Sequence, residues 1–470
     1  MSHHTTAEDA GRVAQTAGVK TLVLSHFVPA EDPAVTDQMW IDAAKAGRTD
    51  MQAVARRSML AVVVIALIGG AGGLGAEDRL VSPESVGFSS DGLKTFQRTM
   101  RALVDESKLA GVTTLVARHG MVVHVDAYGV QDLVTKKPVT RDTIFRIASM
   151  TKPIVGVAMM MLWEQGKWTL DDPVAKHIPE FAGLKVATPS GEVAETKPMT
   201  MRQLMSHTAG FDVNGGYTKH NITDRAQPLQ SMIDKLAKLP LAVQPGSDWR
   251  YGPSVDIQGY IVEKLSGQPL DVFLRAKIFE PLGMKDTGFW VEPSKLDRAT
   301  SVFTYGPDQR LIPATPEQQR NPSVKPVFLS GGGGLLSTTD DYFRFAQMML
   351  NRGEANGTRF LKGSTVELMR TNVLAEGVTV DTYGPSQPGI GFGLDFAIVM
   401  DPAVANTPEG RGSFYWGGAF GTWFWIDPTN DLVVVGMMQN VGGSSPTGGS
   451  PQVRPLSRRL VYQALVDPKK

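Results

Sequence analysis

The amino-acid order predicts an α+β fold: a β-sheet domain interrupted by a mainly helical lobe. β-forming runs occur early, around 112–126, and return late, around 413–438. Between them, roughly 153–290, helical segments are broken by Pro and Gly. Early and late strands that meet across a helical insert form one sheet with a second lobe beside it, and a site between the lobes is natural.

The first fifty residues look foreign to the rest of the chain. A helix-like stretch precedes the apolar run Thr21 to Leu24, and Ser25-His26-Phe27-Val28-Pro29 comes next. This segment resembles the C-terminal end of a metallo-β-lactamase-fold hydrolase, where a histidine in a similar setting is a metal ligand. The His-x-His-x-Asp-His cluster of such a site is absent, and one His cannot hold a catalytic metal. The expectation is a non-functional remnant over 1–50 that binds no metal.

Residues 51–76 read differently. Arg56 and Arg57 precede a charge-free stretch from Ser58 to Ala76, apolar from Met59 to Ile68 and then rich in Gly and Ala. That is the order of a secretory signal. Its apolar centre is short for a membrane span of about 20 residues. The expectation is translation from Met51, cleavage after Gly75 and a periplasmic or secreted product. Retention of 58–76 would instead make it a membrane anchor.

From Glu77 the chain reads as one unit over 77–470. A sheet lobe is expected at about 77–150 and 325–470, and a helical lobe at about 151–324. Asp91 to Lys108 has helical spacing. Val112 to Ala117 and Met121 to Asp126 are strand-like and separated by the hairpin signal Arg118-His119-Gly120. Late strands are expected at Ser413 to Gly418, Gly421 to Ile426 and Leu432 to Met438. Asp427-Pro428-Thr429-Asn430 turns between the last two. Pro455 to Val466 closes as an amphipathic helix.

Composition narrows the function. Lys+Arg and Asp+Glu both total 47, so no global field draws nucleic acid. No cysteine is present, which removes disulfides and thiolate metal sites. There is no Gly-x-Ser-x-Gly and no His-Glu-x-x-His, which disfavours an α/β-hydrolase and a zinc helix.

Three stations carry candidate chemistry. Ser149-Met150-Thr151-Lys152 is followed by Pro153, and proline is tolerated in a helix's first turn. A helix beginning near Ser149 places its hydroxyl and the Lys152 amine on one face. A partly desolvated lysine can take the serine proton. Tyr251 follows a short β-prone run and precedes Gly252-Pro253, a loop. Opposite charge nearby favours an ionised phenol, so Tyr251 is a second base candidate. Tyr415-Trp416-Gly417-Gly418-Ala419 lies on the first late strand, where paired glycines let a substrate approach closely. The N–H groups of Ala419 and Ser149 could form an oxyanion hole.

Plainer readings stand beside these. Ser149 could be a helix cap, Tyr251 a packed loop aromatic and Trp416 a core strand residue. His207 reads as structural, and Met159 to Met161 as core filling. Gly331 to Gly334 lacks the residues of a phosphate loop. Ser337 to Asp340 looks like a helix capping box.

The three stations, in this order, resemble the serine β-lactamase and penicillin-binding-protein superfamily. The likeness is strongest to class C-like family VIII carboxylesterases, which carry Trp-Gly-Gly where lactamases have Lys-Thr-Gly. Leu204 to Gly210 and Pro281 to Thr287 also look like superfamily segments. The likeness covers roughly 80–465. It implies a β-lactamase-like fold, an antiparallel sheet flanked by helices. It implies an acylated Ser149, Lys152 and Tyr251 as the general-base pair, and oxyanion donors from Ser149 and Ala419. Trp416, Gly417 and Gly418 would bind substrate. No cofactor and no metal are implied, and the partner is a small-molecule ester. Pro253 replaces a usual Asn, and Trp416 replaces the lysine that attracts a carboxylate; both changes point toward neutral esters. A β-lactamase or D-amino-acid peptidase, and a non-catalytic binder of cell-wall or acylated ligands, are the rival readings. Oligomeric state is not legible.

Overall fold

The computed structural model describes residues 80–211, 219–308, 310–381, 386–442 and 452–467, with the backbone of three short strands nearer the N-terminus. Two compact units divide the chain, Met1–Asp78 and Arg79–Lys470. In the first, Thr21–Ser25 pairs in parallel with Gln52–Arg56 and antiparallel to Ile65–Ala66. The apolar run at 21–24 is therefore a strand. His26 lies outside the described residues, as does all of 58–76 except Ile65 and Ala66. Among the described residues, no helix is long and apolar enough to cross a membrane.

The second unit opens with helix α1 (Ser90–Asp105), whose start is capped by Ser89 Oγ accepting from the Gly92 N–H at 3.1 Å. Strands β1 (Gly111–Arg118) and β2 (Met121–Gly129) come after it. Their turn holds His119 at φ 54° and Gly120 at φ 70°, the double left-handed step that suits a two-residue hairpin. Helix α2 (Thr151–Glu164) comes next, then α3 (Ser254–Ser266) and α4 (Thr339–Leu350). The chain closes with β3 (Ile390–Phe392), β4 (Ala397–Val399), β5 (Phe414–Gly417), β6 (Trp423–Asp427), β7 (Leu432–Met437) and α5 (Val453–Ala464). These strands form a seven-stranded antiparallel sheet in the order β3-β4-β5-β6-β7-β1-β2.

The pairing of β7 with β1 joins the late strands to the early ones, with Val433 opposite Ala117 and Val435 opposite Leu115. Both faces of the sheet are covered. Leu115, Ala117, Phe424, Ile426, Val433 and Val435 face α2 and α4. Their neighbours Val112, Val116, Trp423, Trp425, Leu432 and Val434 face α1 and α5. A strand buried on both sides reads as a continuous apolar run, as 432–435 does. Helix α2 is buried on nearly every side, which matches its apolar sequence.

Several elements differ from the sequence expectation. β3 and β4 were not foreseen, because each is only three residues long and pairs at the sheet edge. The helical lobe contains a hairpin, Lys185–Thr188 with Gly191–Ala194. Its second strand is exposed throughout, so no alternation marked it. The cap of α4 is Thr338, whose Oγ1 accepts from the Asp341 N–H at 3.2 Å, one residue later than the expected box. No strand precedes Tyr251, and the fully buried Trp249 ties that loop to the core instead.

One buried side chain sets a pH dependence. His124 on β2 is 7% exposed, with Nε2 2.9 Å from Thr114 Oγ1 and its ring against Phe96. Burial pulls its pKa down to about 4, with Asp126 opposing. The unfolded chain therefore takes up a proton between pH 6.5 and 4 that the folded chain does not. Stability carried by neutral His124 is whole above that window and is lost as pH falls through it, by about 3 kcal/mol at its full extent. Comparing pH-dependent unfolding of the native chain with His124→Gln checks this: a shallower acid limb is expected for the variant, and parallel curves would refute it.

Candidate active site

Ser149 lies in a one-turn 3-10 segment, Ala148–Met150, that leads into α2. Ala148 has φ 44°, a left-handed conformation rare for a residue with a Cβ. The turn is over-determined. Ile147 N–H donates to Leu335 O at 3.1 Å, Tyr342 Oη–H donates to Met150 O at 2.9 Å, and Thr151 Oγ1–H donates to Ala148 O at 2.7 Å. Pro153 falls in the first turn of α2, where its missing N–H breaks no helical bond.

The first two stations meet. Lys152 Nζ lies 3.2 Å from Ser149 Oγ, and Tyr251 Oη lies 2.8 Å from the same oxygen. Nζ is also 4.6 Å from the centroid of the Tyr251 ring. Lys152 is only 4% exposed, while Ser149 and Tyr251 are half-buried, so the amine is shielded and the serine is partly open. Lys152 is held by a backbone group, donating to Gly332 O at 2.5 Å. That carbonyl is placed by Asp256 on α3, whose Oδ1 accepts from the Gly332 N–H at 2.9 Å and the Ser330 hydroxyl at 2.7 Å. The glycine run 331–334 thus serves the site, although it carries no phosphate motif: a Cβ on Gly332 would lie 2.6 Å from Asp256 Oδ2.

An aromatic cage fixes Tyr251. Its ring lies 4.9 Å from His207, 5.8 Å from Trp249 and 5.7 Å from Trp416. His207 is fully buried, neither ring nitrogen has a hydrogen-bond partner, and burial together with Lys152 pushes its pKa well down. It packs rather than titrates. Trp416 is 9% exposed and edge-on to Phe392. Its indole packs on the Tyr251 ring, which fits the core reading of this residue. Asp395, under α2, accepts from Gln258 Nε2 at 3.1 Å; burial pushes its pKa well above the usual carboxylate range and favours the neutral acid.

The third station ends beside the turn that carries Ser149. Thr422 Oγ1–H donates to Ile147 O at 3.2 Å, and Gly418 N–H donates to Thr422 O at 2.8 Å. Arg454 on α5 clamps this turn, with Nη2 2.6 Å from Gly418 O and 2.9 Å from Thr422 O. Ala419 is exposed, and among the described residues neither its N–H nor that of Ser149 has an acceptor. Both remain available to a developing oxyanion. The room the glycine pair creates is used by the protein itself: a methyl at 417 would strike the Arg454 guanidinium, and one at 418 would strike Ile147 O and Thr422 Oγ1. Gly418→Ala is therefore expected to push Ala419 and Ser149 apart. A fall in kcat of about 10²–10³-fold, the worth of one oxyanion donor, is expected with KM little changed. Steady-state kinetics on a folded variant checks it, and an unchanged kcat counts against the oxyanion assignment.

A cavity of about 670 Å³ opens next to these groups and is lined by Ala148, Gly333, Gly334 and Ala419. A larger one, about 1080 Å³, is lined by Tyr415, Glu409 and Arg458. Tyr415 neighbours Trp416 on β5 and points to the opposite face. Arg458 there is already paired with Glu409 at 2.6 Å, and neither Ala148 nor Ala419 lines it. Ser149, Lys152 and Tyr251 line neither cavity, but the smaller one is bordered by Ala148, the residue before Ser149, and by Ala419, which makes it the candidate substrate cleft. Among the described residues no group of His, Asp and Glu could hold a metal ion.

Sequence reading missed Asp256, the Gly332 carbonyl, the cage residue Trp249 and the Arg454 clamp. No motif marks them; Asp256, Gly332 and Arg454 act through contacts far along the chain, and Trp249 stacks on Tyr251 two residues away.

Sheet, flanking helices and cleft together define a β-lactamase-like serine hydrolase fold. The chain belongs to the beta-lactamase family, whose model matches residues 96–454. It is 32% identical over 356 residues to esterase EstB of Burkholderia gladioli, covering 70% of this chain and 86% of the relative. An uncharacterised protein of Mycobacterium tuberculosis is 33% identical over 396 residues, covering 78% and 98%. Among solved structures, EstCE1, described as a hydrolase with promiscuous acyltransferase activity, superposes with a TM-score of 0.69 at 28% identity, covering 79% of this chain and 98% of its own. Residues 1–50 lie outside the matched span, which lends no support to a metallo-β-lactamase likeness there.

Proposed function

We propose that this chain is a cofactor-free serine carboxylesterase of the family VIII type that hydrolyses short-chain carboxylic esters through an acyl-enzyme. The observation that carries the reading is the single oxygen, Ser149 Oγ, within bonding reach of both Lys152 Nζ and Tyr251 Oη. The base of this pair takes the Ser149 proton as Oγ attacks the ester carbonyl. Charge on the carbonyl oxygen is met by the N–H groups of Ser149 and Ala419. The C–O bond to the alcohol then breaks, and the alcohol leaves with the proton from the base. Water attacks the acyl-enzyme, gives a proton to the same base and releases the acid; that proton restores the Ser149 hydroxyl. The names of two relatives support ester chemistry: esterase EstB, and lovastatin esterase of Penicillium rubens at 26% identity.

Trp416 supports an ester over a β-lactam, since an indole stands where a cation would draw the lactam carboxylate. One observation favours the second reading, a β-lactamase or D-amino-acid peptidase: the Arg454 guanidinium lies against Gly417, one residue from that position. Nitrocefin, a D-Ala-D-Ala peptide and a short-chain 4-nitrophenyl ester, compared at equal concentration, decide between them. Ester turnover alone supports the proposal; faster nitrocefin or peptide turnover overturns it. Absence of both turnover and a fluorophosphonate adduct on Ser149 would mark a binder instead. Export directed by 51–76 belongs to the same proposal. N-terminal sequencing of the secreted protein tests it, with Ala76 expected first.

A further inference from the structure

The candidate substrate cleft is strongly basic in a chain with no net charge. Arg146, Arg225, Arg320 and Lys325 all line the cavity that Ala148 and Ala419 border. Lys325 is neutralised by Asp271, 2.8 Å from its Nζ. The three arginines are not. Arg146, three residues before the nucleophile, donates only to backbone carbonyls: Thr300 O at 3.0 Å, Arg320 O at 2.8 Å and Gln319 O. Arg320 donates to Glu317 O at 3.3 Å. Arg225 and Arg320 are exposed to the cleft. Among the described residues, no carboxylate forms an ion pair with any of the three.

The cost of this arrangement is visible. Burial, then repulsion from Arg320 and Arg225, pulls Arg146 down to about 10, and burial and Arg320 do the same to Arg225. Asp256 alone relieves Arg225, and its carboxylate is already engaged by Ser330 and Gly332. Like charges gathered beside a reacting group, without counter-charge, are relieved when an anion enters. Guanidinium forks suit a carboxylate in particular. Phe289 and Phe328 supply apolar wall between, so a carbon spacer fits better than a fully polar ligand.

We propose that the cleft takes esters bearing a second, free carboxylate, the anion held by Arg225 and Arg320 at the mouth with Arg146 behind them. This rests on the esterase reading and names its substrate class: a half ester of a dicarboxylic acid, or an acylated hydroxy acid. The charge absent at Trp416 is thus supplied from another wall of the cleft, at a different distance from the nucleophile, and selects a different anion from a β-lactam.

Two matched pairs test it on the full chain. On the acyl side, 4-nitrophenyl hemiglutarate is compared with 4-nitrophenyl valerate. On the alcohol side, 4-acetoxybenzoate is compared with its methyl ester. In at least one pair the anionic member is expected to have a kcat/KM about 10-fold or more higher. That ratio should shrink as salt screens the cleft, fall in Arg225→Gln and Arg320→Gln, and be partly kept in Arg225→Lys. Anionic members no faster in either pair, or a ratio unmoved by both Gln variants, would overturn the proposal while neutral-ester turnover leaves the esterase reading standing. If no ester turns over and fluorophosphonate leaves Ser149 unlabelled, the esterase reading falls. Calorimetry of the Ser149→Ala protein then decides the anion site by itself: tighter binding of the hemiglutarate than of the valerate supports it, and equal binding overturns it.

Discussion

Ser149→Ala is expected to lower ester kcat/KM by several orders of magnitude, on the order of 10⁶-fold as for nucleophile loss in a comparable serine hydrolase. The size reflects the geometry. Ser149 Oγ is the atom on which both candidate bases converge, at 3.2 and 2.8 Å. Removing the hydroxyl leaves Lys152 its bond to Gly332 O, so the loop need not rearrange. The fold should therefore survive, and the residual rate should be that of bound water beside the oxyanion donors. Ester kinetics with thermal unfolding of the same sample checks both halves. A variant that keeps native turnover, or that loses activity only by unfolding, contradicts the mechanism.

Lys152→Met and Tyr251→Phe are expected to lower kcat by about 10²–10⁴-fold each, the range of a positioned general base. Both changes keep the bulk. The phenyl ring of the Tyr251→Phe variant would retain the stacking on His207, Trp249 and Trp416, and lose only the hydroxyl. A methionine side chain in place of Lys152 would keep the buried stem and lose the donor to Gly332 O, which lies in a loop already braced by Asp256. Because the amine sits over the phenol ring and both reach one oxygen, the two act as a unit. The double variant should fall little further than the worse single one. Multiplying losses would instead mean two independent roles, and a Tyr251→Phe enzyme with full kcat would leave Lys152 as the sole base.

Much of this site was legible because the chemistry is written in side chains at short spacing. Ser149 and Lys152 are one helical turn apart, so local geometry brings them together. Tyr251 and Ala419 could be named as candidates from their residue types and loops, but their meeting with Ser149 rested on the resemblance, since nothing between 152 and 251 states a distance. The strands β1, β2 and β5 to β7 were readable from their apolar runs. β3, β4 and the exposed hairpin at 185–194 were not, because such short strands exist only through their partners. The aromatic cage was hidden for the same reason: Trp249 and His207 meet Tyr251 in the core, with no period that marks them.

By itself the sequence determined the Ser149–Lys152 pair on one helical face, the late strands and the presence of Trp416 before two glycines. Those are properties of residue type and of neighbours within a few positions. Tertiary structure alone decided that a backbone carbonyl at 332, set by Asp256, holds the lysine. It also decided that Arg454 clamps the Gly418–Thr422 turn and that Arg146, Arg225 and Arg320 converge on one cavity. A carbonyl has no side chain to be read, and charges scattered over 146–320 make no common field until folding brings them within reach of each other.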